Sequence, residues 1–297
     1  MKAFTLTAIF MLSLTPCVFS QRDVLHKRIK ELAATVDGQA GVAIMDLSSK
    51  DTLLYNVHGR FAMQSVYKFQ LGLAVLNEID KEALSLDKKI RLTKENLLPN
   101  TYSPMRDKYP GGNVELPLRD VLKYLVTNSD NNACDILFKE LGGTKRVNRY
   151  VHDLGVNEME IAATEDEMHQ GYDVQFTNWS TPRATLQLLE MFYDKKLLKP
   201  ASQELMWKMM VETTTGPKRL KGLLPEGVEA AHRTGLGDRD TDGRLGAVND
   251  VGIVKLPNGK YYAIVVYIGR AKGELPDLEK VIAEISLAAY KSQWLNK

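Results

Sequence analysis

The chain is poor in the residues that form disulfide scaffolds and zinc sites. Its 297 residues include two cysteines and five histidines, and no two histidines have a zinc-binding spacing such as His-x-His. The formal charge is only +2, so no excess of one sign favours nucleic acid as a partner. A Gly-x-Ser-x-Gly elbow is also missing, which excludes an α/β-hydrolase. We expect a monomer that binds a small molecule and needs neither a metal nor another cofactor.

Long apolar runs are missing as well, apart from one short run at the N-terminus. Lys2 precedes an apolar stretch from Ala3 to Leu14, too short for the about 20 residues of a membrane span. This layout predicts a cleavable signal peptide over residues 1–20, cut near Ser20/Gln21, and a periplasmic or secreted protein. A lipid anchor on Cys17 is the alternative, although Pro16 fits it poorly. Cleavage leaves Cys134 as the only thiol, which excludes an intrachain disulfide.

The order of helical and strand patterns predicts an α/β fold, in the sense of an α+β sandwich. Apolar periodicity predicts a helix over about 22–36, helices joined by loops over 65–208, and a last helix over about 278–294. Strand patterns occupy 41–45, 52–55, 228–232, 248–256 and 261–268, with a tight Pro257-Asn258-Gly259 turn before the last strand. We therefore expect residues 21–60 and 212–297 to form an antiparallel sheet flanked by helices, residues 61–211 to form an all-helical lobe, and the site to lie between them.

Three short motifs point to acyl-enzyme chemistry: Ser65-Val66-Tyr67-Lys68, Ser129-Asp130-Asn131 and Arg233-Thr234-Gly235. A serine hydroxyl is a weak nucleophile at neutral pH, so it needs a base close by. A lysine one helical turn later on the same face meets that need.

Each motif also has an ordinary structural interpretation. The chain has a second Ser-x-x-Lys, Ser85 to Lys88, but only Ser65 precedes a long apolar helix. Ser65, taken alone, is typical of a helix N-cap, and so is Ser129-Asp130-Asn131. The order of the three motifs along one chain favours the catalytic interpretation.

The motif set, together with further segments, resembles a class A serine β-lactamase over the whole mature length. Thr164-Glu165-Asp166-Glu167-Met168-His169 is similar to the family's loop with a deacylating glutamate. Thr214 to Arg219, followed by Leu223-Leu224-Pro225, is similar to another family segment. His169, Asn100-Thr101-Tyr102 and Gln64-Ser65-Val66 resemble the extended-spectrum PER and VEB types.

The resemblance implies a role for each matching residue. Ser65 is the nucleophile, with Lys68 or a water held by Glu165 as the acylation base, and Glu165 activates the deacylating water. Ser65 and Leu236 supply the oxyanion-hole amides, and Ser129 relays a proton to the leaving nitrogen. The expected substrate contacts come from Tyr102, Asn131, His169, Arg219, Arg233, Thr234 and Gly235.

Two positions depart from the family pattern and bear on substrate range. Arg233 replaces the usual lysine, and the two cations differ in shape and hydration. Leu236 replaces a common Ser or Thr, which removes one hydrogen bond to a substrate carboxylate, about 0.5 to 1.5 kcal/mol for a neutral bond.

Asp238, Asp240 and Asp242 have the opening spacing of a calcium loop, but Asn249 stands where a glutamate closes such a site, so we expect a solvated turn.

Other serine acyl-transfer proteins remain alternatives. A penicillin-binding sensor keeps its acyl adduct because it lacks a counterpart of Glu165. A D-alanyl-D-alanine peptidase or transpeptidase shares the serine chemistry, but the chain has no room for large extra domains. A glutaminase also uses Ser-x-x-Lys, whereas the second and third motifs favour a β-lactam substrate.

Overall fold

The computed structural model describes residues 20–296, and these contain ten helices and ten strands. In chain order the helices are α1 (Gln21–Ala33), α2 (Lys68–Asp80), α3 (Pro104–Lys108), α4 (Leu118–Thr127), α5 (Asn131–Leu141), α6 (Thr144–Asp153), α7 (Glu165–Met168), α8 (Pro182–Tyr193), α9 (Pro200–Val211) and α10 (Leu275–Tyr290). The strands are β1 (Asp37–Asp46), β2 (Thr52–Tyr55), β3 (Phe61–Ala62), β4 (Lys89–Leu92), β5 (Val114–Pro117), β6 (Met159–Glu160), β7 (Trp179–Ser180), β8 (Ala230–Leu236), β9 (Leu245–Lys255) and β10 (Tyr261–Lys272).

An antiparallel sheet of five strands, in the order β2-β1-β10-β9-β8, joins the two ends of the chain. Its central pairing is between β1 and β10, where Val42 lies opposite Val266. The predicted hairpin between β9 and β10 is confirmed, because Gly259 adopts a left-handed φ of 82° and its N–H donates to the Leu256 carbonyl. Residues from both ends of the sequence therefore build one sheet, as predicted.

Both faces of this sheet are covered, which explains the unbroken apolar run in β1. Val42 and Ile44 face one way, in a core shared with α1 and α10. Ala43 and Met45 face the other way, in a core that continues through α8 into the helical segment. A strand buried on both faces has no polar side to alternate with.

The middle segment is built around α2, and its residues from Lys68 to Leu76 are all buried. The expectation of a purely helical segment is wrong in detail, because β4 pairs with β5, and β3, β7 and β6 form a small sheet. These strands have only two to four residues each, too few to show a periodicity of their own. Moreover, α8 packs against the main sheet, so residues 61–211 share a core with it. The division into two lobes therefore stays a prediction.

The helices at the two ends differ from their predicted bounds by a few residues. The first ends at Ala33 rather than about residue 36, and the last covers Leu275–Tyr290 rather than about 278–294. Within residues 20–296, no helix has both the length and the apolar composition to cross a membrane. Residues 1–19 of the predicted signal peptide, including Cys17, lie outside the described residues. Cys134 is a free, buried thiol.

Candidate active site

The three motifs meet at one open cleft with a volume of about 540 Å³. Ser65, Ser129, Glu165 and Thr234 all contribute to its walls. Ser65 is the partly exposed member of a 3₁₀ turn, Gln64–Tyr67, that leads directly into α2. The turn places the serine hydroxyl at the cleft while the following helix is buried.

The backbone beside Ser65 is held in an unusual conformation. Gln64 has a left-handed φ of 50°, which costs a non-glycine residue of the order of 1 kcal/mol or more. Its side-chain amide donates to Gln175 Oε1 at 2.8 Å. Asn249 of β9 donates to the carbonyls of Ala62 and Met63 at 2.8 and 3.1 Å. The serine is therefore fixed by groups from two distant segments.

Lys68 is fully buried, and its ammonium contacts three groups. Its Nζ donates to Ser129 O at 2.8 Å and to Asn131 Oδ1 at 2.5 Å. Glu165 Oε1 lies 2.9 Å from the same nitrogen, at ion-pair distance but outside hydrogen-bond geometry. The three groups that face this nitrogen are all oxygens, which is the surrounding that an ammonium, with three donors and no acceptor, requires. Among the described residues, the Ser65 hydroxyl has no hydrogen-bond partner.

Glu165 is the first residue of the short helix α7, and its side chain is buried beside Lys68. The neighbouring Glu167 has a different task, because its carboxylate accepts the Thr164 N–H at 2.8 Å while Thr164 Oγ1 accepts the Glu167 N–H. That reciprocal pair is a capping box. The geometry thus separates two glutamates that the sequence distinguishes only by position. Glu165 faces the cleft, and Glu167 caps the helix.

The second motif combines a helix cap with site residues. Asp130 caps α5 by accepting the Ala133 N–H at 2.8 Å, and it also accepts the Met105 N–H at 2.7 Å. Ser129 precedes it with a left-handed φ of 59° and lines the cleft. Asn131 accepts from Lys68 and donates to Thr101 Oγ1 at 2.7 Å. The structural and catalytic interpretations of this motif are therefore compatible.

Arg233 lies beneath the cleft rather than on its wall. Its buried guanidinium donates to Val126 O, to Ser65 O at 3.1 Å and to Ser129 Oγ at 3.0 Å. Burial lowers the pKa of Arg233 to about 10, so it remains cationic at neutral pH. The expected contact of Arg233 with a substrate carboxylate stays a prediction, since both of its terminal nitrogens donate to protein groups. Thr234 does reach the wall, where its hydroxyl lies 2.6 Å from that of Thr215.

Arg219 and Gly235 brace the wall of the cleft. Arg219 Nη1 donates to the carbonyls of Gly235 at 2.8 Å and Asn249 at 2.9 Å, and its Nε donates to Glu279 at 3.1 Å. Gly235 comes close to the nucleophile turn, because a Cβ at this position would lie 2.3 Å from Met63 O. Its lack of a side chain allows β8 to pack beside Ser65.

The three remaining predicted site residues also line the cleft. Tyr102 and Leu236 are each about half exposed, 54% and 47%. His169 Nδ1 donates to the Glu165 carbonyl at 2.6 Å, which holds the α7 turn. The roles of the Ser65 and Leu236 amides as an oxyanion hole stay a prediction.

The chain matches known proteins over nearly its full length. The profile of the beta-lactamase enzyme family covers residues 24–293. Beta-lactamase VEB-1 of Pseudomonas aeruginosa is 40% identical over 94% of this chain and 93% of its own length, and extended-spectrum beta-lactamase PER-1 of the same organism is 35% identical over 92% and 88%. The chain belongs to the beta-lactamase enzyme family.

Solved structures place it in class A of that family. The crystal structure of TLA-1 extended-spectrum beta-lactamase has 46% identity and a TM-score of 0.90, over 92% of this chain and 99% of that one. A class A representative from Bacteroides cellulosilyticus has 37% identity and a TM-score of 0.88, over 92% and 98%. The resemblance inferred from the motifs, including its PER and VEB character, is confirmed.

The sequence analysis missed residues that hold the catalytic segments of this β-lactamase site in place by hydrogen bonds. Asp135, one turn after Asn131 in α5, accepts the backbone N–H groups of Glu165 and Asp166 at 2.8 and 2.9 Å. Gln175 holds Gln64, as described above. The i+4 spacing from Asn131 to Asp135 on an amphipathic helix could have indicated a second polar group on the cleft side, but nothing local indicates its partners.

Two other motifs lie away from this site. Ser85 accepts the Asp87 N–H in a surface turn and Lys88 pairs with Glu140, which supports an ordinary role for the second Ser-x-x-Lys. Asp240 Oδ1 accepts the N–H groups of Asp242 and Arg244 at 2.9 and 2.8 Å. That arrangement closes an exposed turn between β8 and β9.

We predict that Gly235→Ala will impair both folding and activity. The new methyl group would meet the Met63 carbonyl and push β8 away from the Ser65 turn. We expect a loss of about 1 to 3 kcal/mol in the free energy of unfolding, and kcat/KM for nitrocefin should fall roughly tenfold or more, as small displacements of reacting groups do. Gly111→Ala is the matched control, because nothing lies within 4 Å of its Cβ. Equal behaviour of the two variants would contradict the close-approach argument.

We predict that Asp135 makes stability depend on pH in the acid range. Burial raises its carboxyl pKa from 3.8 to about 6. The folded state therefore binds a proton more tightly than the unfolded state, and this contribution to stability is present below pH 3.8 and lost as pH rises through 6. Relative to Asp135→Asn, the wild type should lose about 3 kcal/mol across that window. Urea unfolding of both proteins between pH 3.5 and 7 measures the difference, and a constant difference would refute the prediction.

Proposed function

We propose that this chain hydrolyses the β-lactam amide bond of penicillins and cephalosporins through an acyl-enzyme on Ser65. The observation that carries the proposal is the position of the Glu165 carboxylate, buried on the same cleft as Ser65 and 2.9 Å from Lys68 Nζ. A carboxylate at this position can activate the water that hydrolyses the acyl-enzyme, and a protein that stays acylated lacks such a group. Beta-lactam hydrolysis is also what the family membership implies.

Acylation begins with attack of Ser65 Oγ on the lactam carbonyl carbon. The serine proton passes toward Glu165 through a water, because Lys68 Nζ already donates to Ser129 O and Asn131 Oδ1 and lies at ion-pair distance from Glu165. Lys68 can take this role only after giving a proton to Glu165, so both bases named above remain open. The C–N bond then breaks, and Ser129 gives the nitrogen its proton. The proton that Glu165 took from Ser65 passes through the Lys68 ammonium to Ser129, since Lys68 lies between the two groups, and Glu165 is again a carboxylate.

Deacylation needs a water beside the ester and a base to activate it. Glu165 Oε1 is buried and accepts no hydrogen bond from the described residues, so its lone pairs are available to such a water. The water attacks the ester carbonyl, Glu165 takes its proton, and Ser65 Oγ leaves and recovers a proton. The product is the ring-opened acid and the free serine.

Electrostatics support binding of an anionic substrate. Lys68 and Arg233 are two buried cations close to Ser129, and a carboxylate in the cleft would lie in their field. Thr234, Thr215 and Arg219 stand at the wall where the carboxylate can be received directly. The names of TLA-1 and PER-1 as extended-spectrum enzymes support including cephalosporins in the proposal.

Export is part of the proposal, with cleavage near Ser20/Gln21 and a site of action in the periplasm or outside the cell. Ser20 caps α1 through a capping box with Asp23. Cleavage after Ser20 would remove this cap, whereas cleavage one residue earlier would keep it. N-terminal sequencing of the exported protein tests both the export and the bond that is cut.

We predict that Glu165→Gln will trap the acyl-enzyme. Glutamine keeps the shape but cannot accept the water proton, so acylation should proceed in part while deacylation falls by a factor of about 10² or more. Intact-protein mass spectrometry after minutes with benzylpenicillin should show one added substrate on Glu165→Gln and free enzyme for the wild type. Glu167→Gln is the matched control and should turn over, because Glu167 caps α7 instead of facing the cleft.

Two outcomes would contradict the mechanism. A wild-type adduct that persists would favour the penicillin-binding sensor. Turnover by Glu165→Gln at the wild-type rate would show that another group activates the water.

A further inference from the structure

A second cavity, of about 310 Å³, lies outside the cleft, where β1, β3 and β10 meet the segment that carries Phe176 and Trp179. It shares no lining residue with the catalytic cleft. Its walls include two arginines, Arg60 and Arg270, and none of its lining residues is acidic. The lining residues therefore carry a formal charge of +2.

Both guanidinium groups are stacked on aromatic rings. The Arg60 Cζ lies 4.0 Å from the ring centroid of Trp179, and the Arg270 Cζ lies 3.8 Å from that of Phe176. Stacking fixes the plane of a guanidinium but leaves its N–H edge free to donate. Each arginine is thus oriented in advance, which lowers the entropy cost of binding an anion.

Neither guanidinium has a carboxylate partner among residues 20–296, and neither donates a hydrogen bond there. Other surface arginines do have carboxylate partners: Arg28 pairs with Glu284, and Arg146 pairs with Glu78. The N–H edges at the cavity are therefore free for an external acceptor.

The backbone at Arg270 adopts a costly conformation that aims its side chain. Arg270 has a left-handed φ of 49°, unfavourable for a non-glycine residue by about 1 kcal/mol or more. It lies in a β-bulge, because β10 has one more residue than β1 between the pairs Asp37–Lys272 and Gln39–Gly269. A bulge re-aims the side chain it carries, here onto Phe176 at the cavity wall.

The floor of the cavity includes an aromatic ring. Phe61 forms part of it and stacks on Tyr267 with a centroid separation of 5.6 Å. Gly269 leaves the floor open, since a Cβ there would lie 3.2 Å from the Phe61 ring. An aromatic ring in this cavity would be lined by Phe61, Phe176 and Trp179, and carboxylates on that ring would face the two arginines.

We propose that this cavity is a binding site for a small planar organic dianion, with one carboxylate on Arg60 and the other on Arg270. Two charge-assisted, fork-shaped contacts recognise carboxylates, and the aromatic floor recognises the body between them. The volume is at the lower end of ordinary ligand sites, which suits a ligand of one ring. The site is separate from the β-lactam chemistry and does not depend on it.

Benzene-1,3-dicarboxylate is the probe for this site, and its neutral diamide is the matched ligand. Titration calorimetry on the mature protein at constant ionic strength should show saturable binding of the dianion and none of the diamide. Arg60→Gln and Arg270→Gln should each weaken binding tenfold or more and leave nitrocefin turnover unchanged. Arg91→Gln, an exposed arginine on β4, should bind the probe like the wild type.

Three results would overturn the proposal. Equal binding by the diamide would show that the cavity does not recognise the charge of the ligand. Unchanged binding in both cavity variants would place the probe elsewhere, including the catalytic cleft. No saturable binding by the wild type, while its nitrocefin turnover proves it folded, would show that the cavity takes no such dianion. Inorganic phosphate at the same ionic strength separates a general anion site from one that needs the planar body.

Discussion

The buried ammonium of Lys68 is the interaction on which the geometry of the site depends. A charge removed from water is costly unless other groups replace its hydration, and here two hydrogen-bond acceptors and one carboxylate do so. They come from different parts of the chain: Ser129 O before α5, Asn131 Oδ1 in α5, and Glu165 Oε1 in α7. One cation thereby fixes the relative positions of α2, Ser129 and Glu165.

Further polar contacts hold those three segments against the sheet. Arg233 reaches from β8 to the carbonyl of Ser65 and the hydroxyl of Ser129. Asn249, on the neighbouring strand, holds the carbonyls just before the nucleophile. A shift of β8 or β9 would therefore move the serine. The sheet thus helps to position Ser65, although it supplies few of the reacting groups.

The sequence predicts those parts of the structure whose cause is local. The serine turn and its apolar helix, the β9–β10 hairpin with Gly259, and the cap formed by Asp130 all follow from neighbouring residues. The position of Glu165 follows from a family resemblance, and only the structure shows why Glu167 differs from it. Contacts that join distant segments leave no local pattern. Asp135 binding the Glu165 N–H, Gln175 binding Gln64, and the burial of Arg233 are of this kind.

Backbone strain occurs at residues that lie in or next to the catalytic cleft. Gln64 and Ser129 both adopt left-handed backbone conformations, although neither is glycine, and each costs roughly 1 to 3 kcal/mol. Such conformations persist only where surrounding contacts over-determine them, and both residues are held: Gln64 by Gln175, and Ser129 by Lys68 and Arg233. Because the fold is only marginally stable, that strain has to be offset by packing elsewhere. The two apolar cores on either side of the sheet supply this packing, which links a large buried core to the precise placement of one hydroxyl.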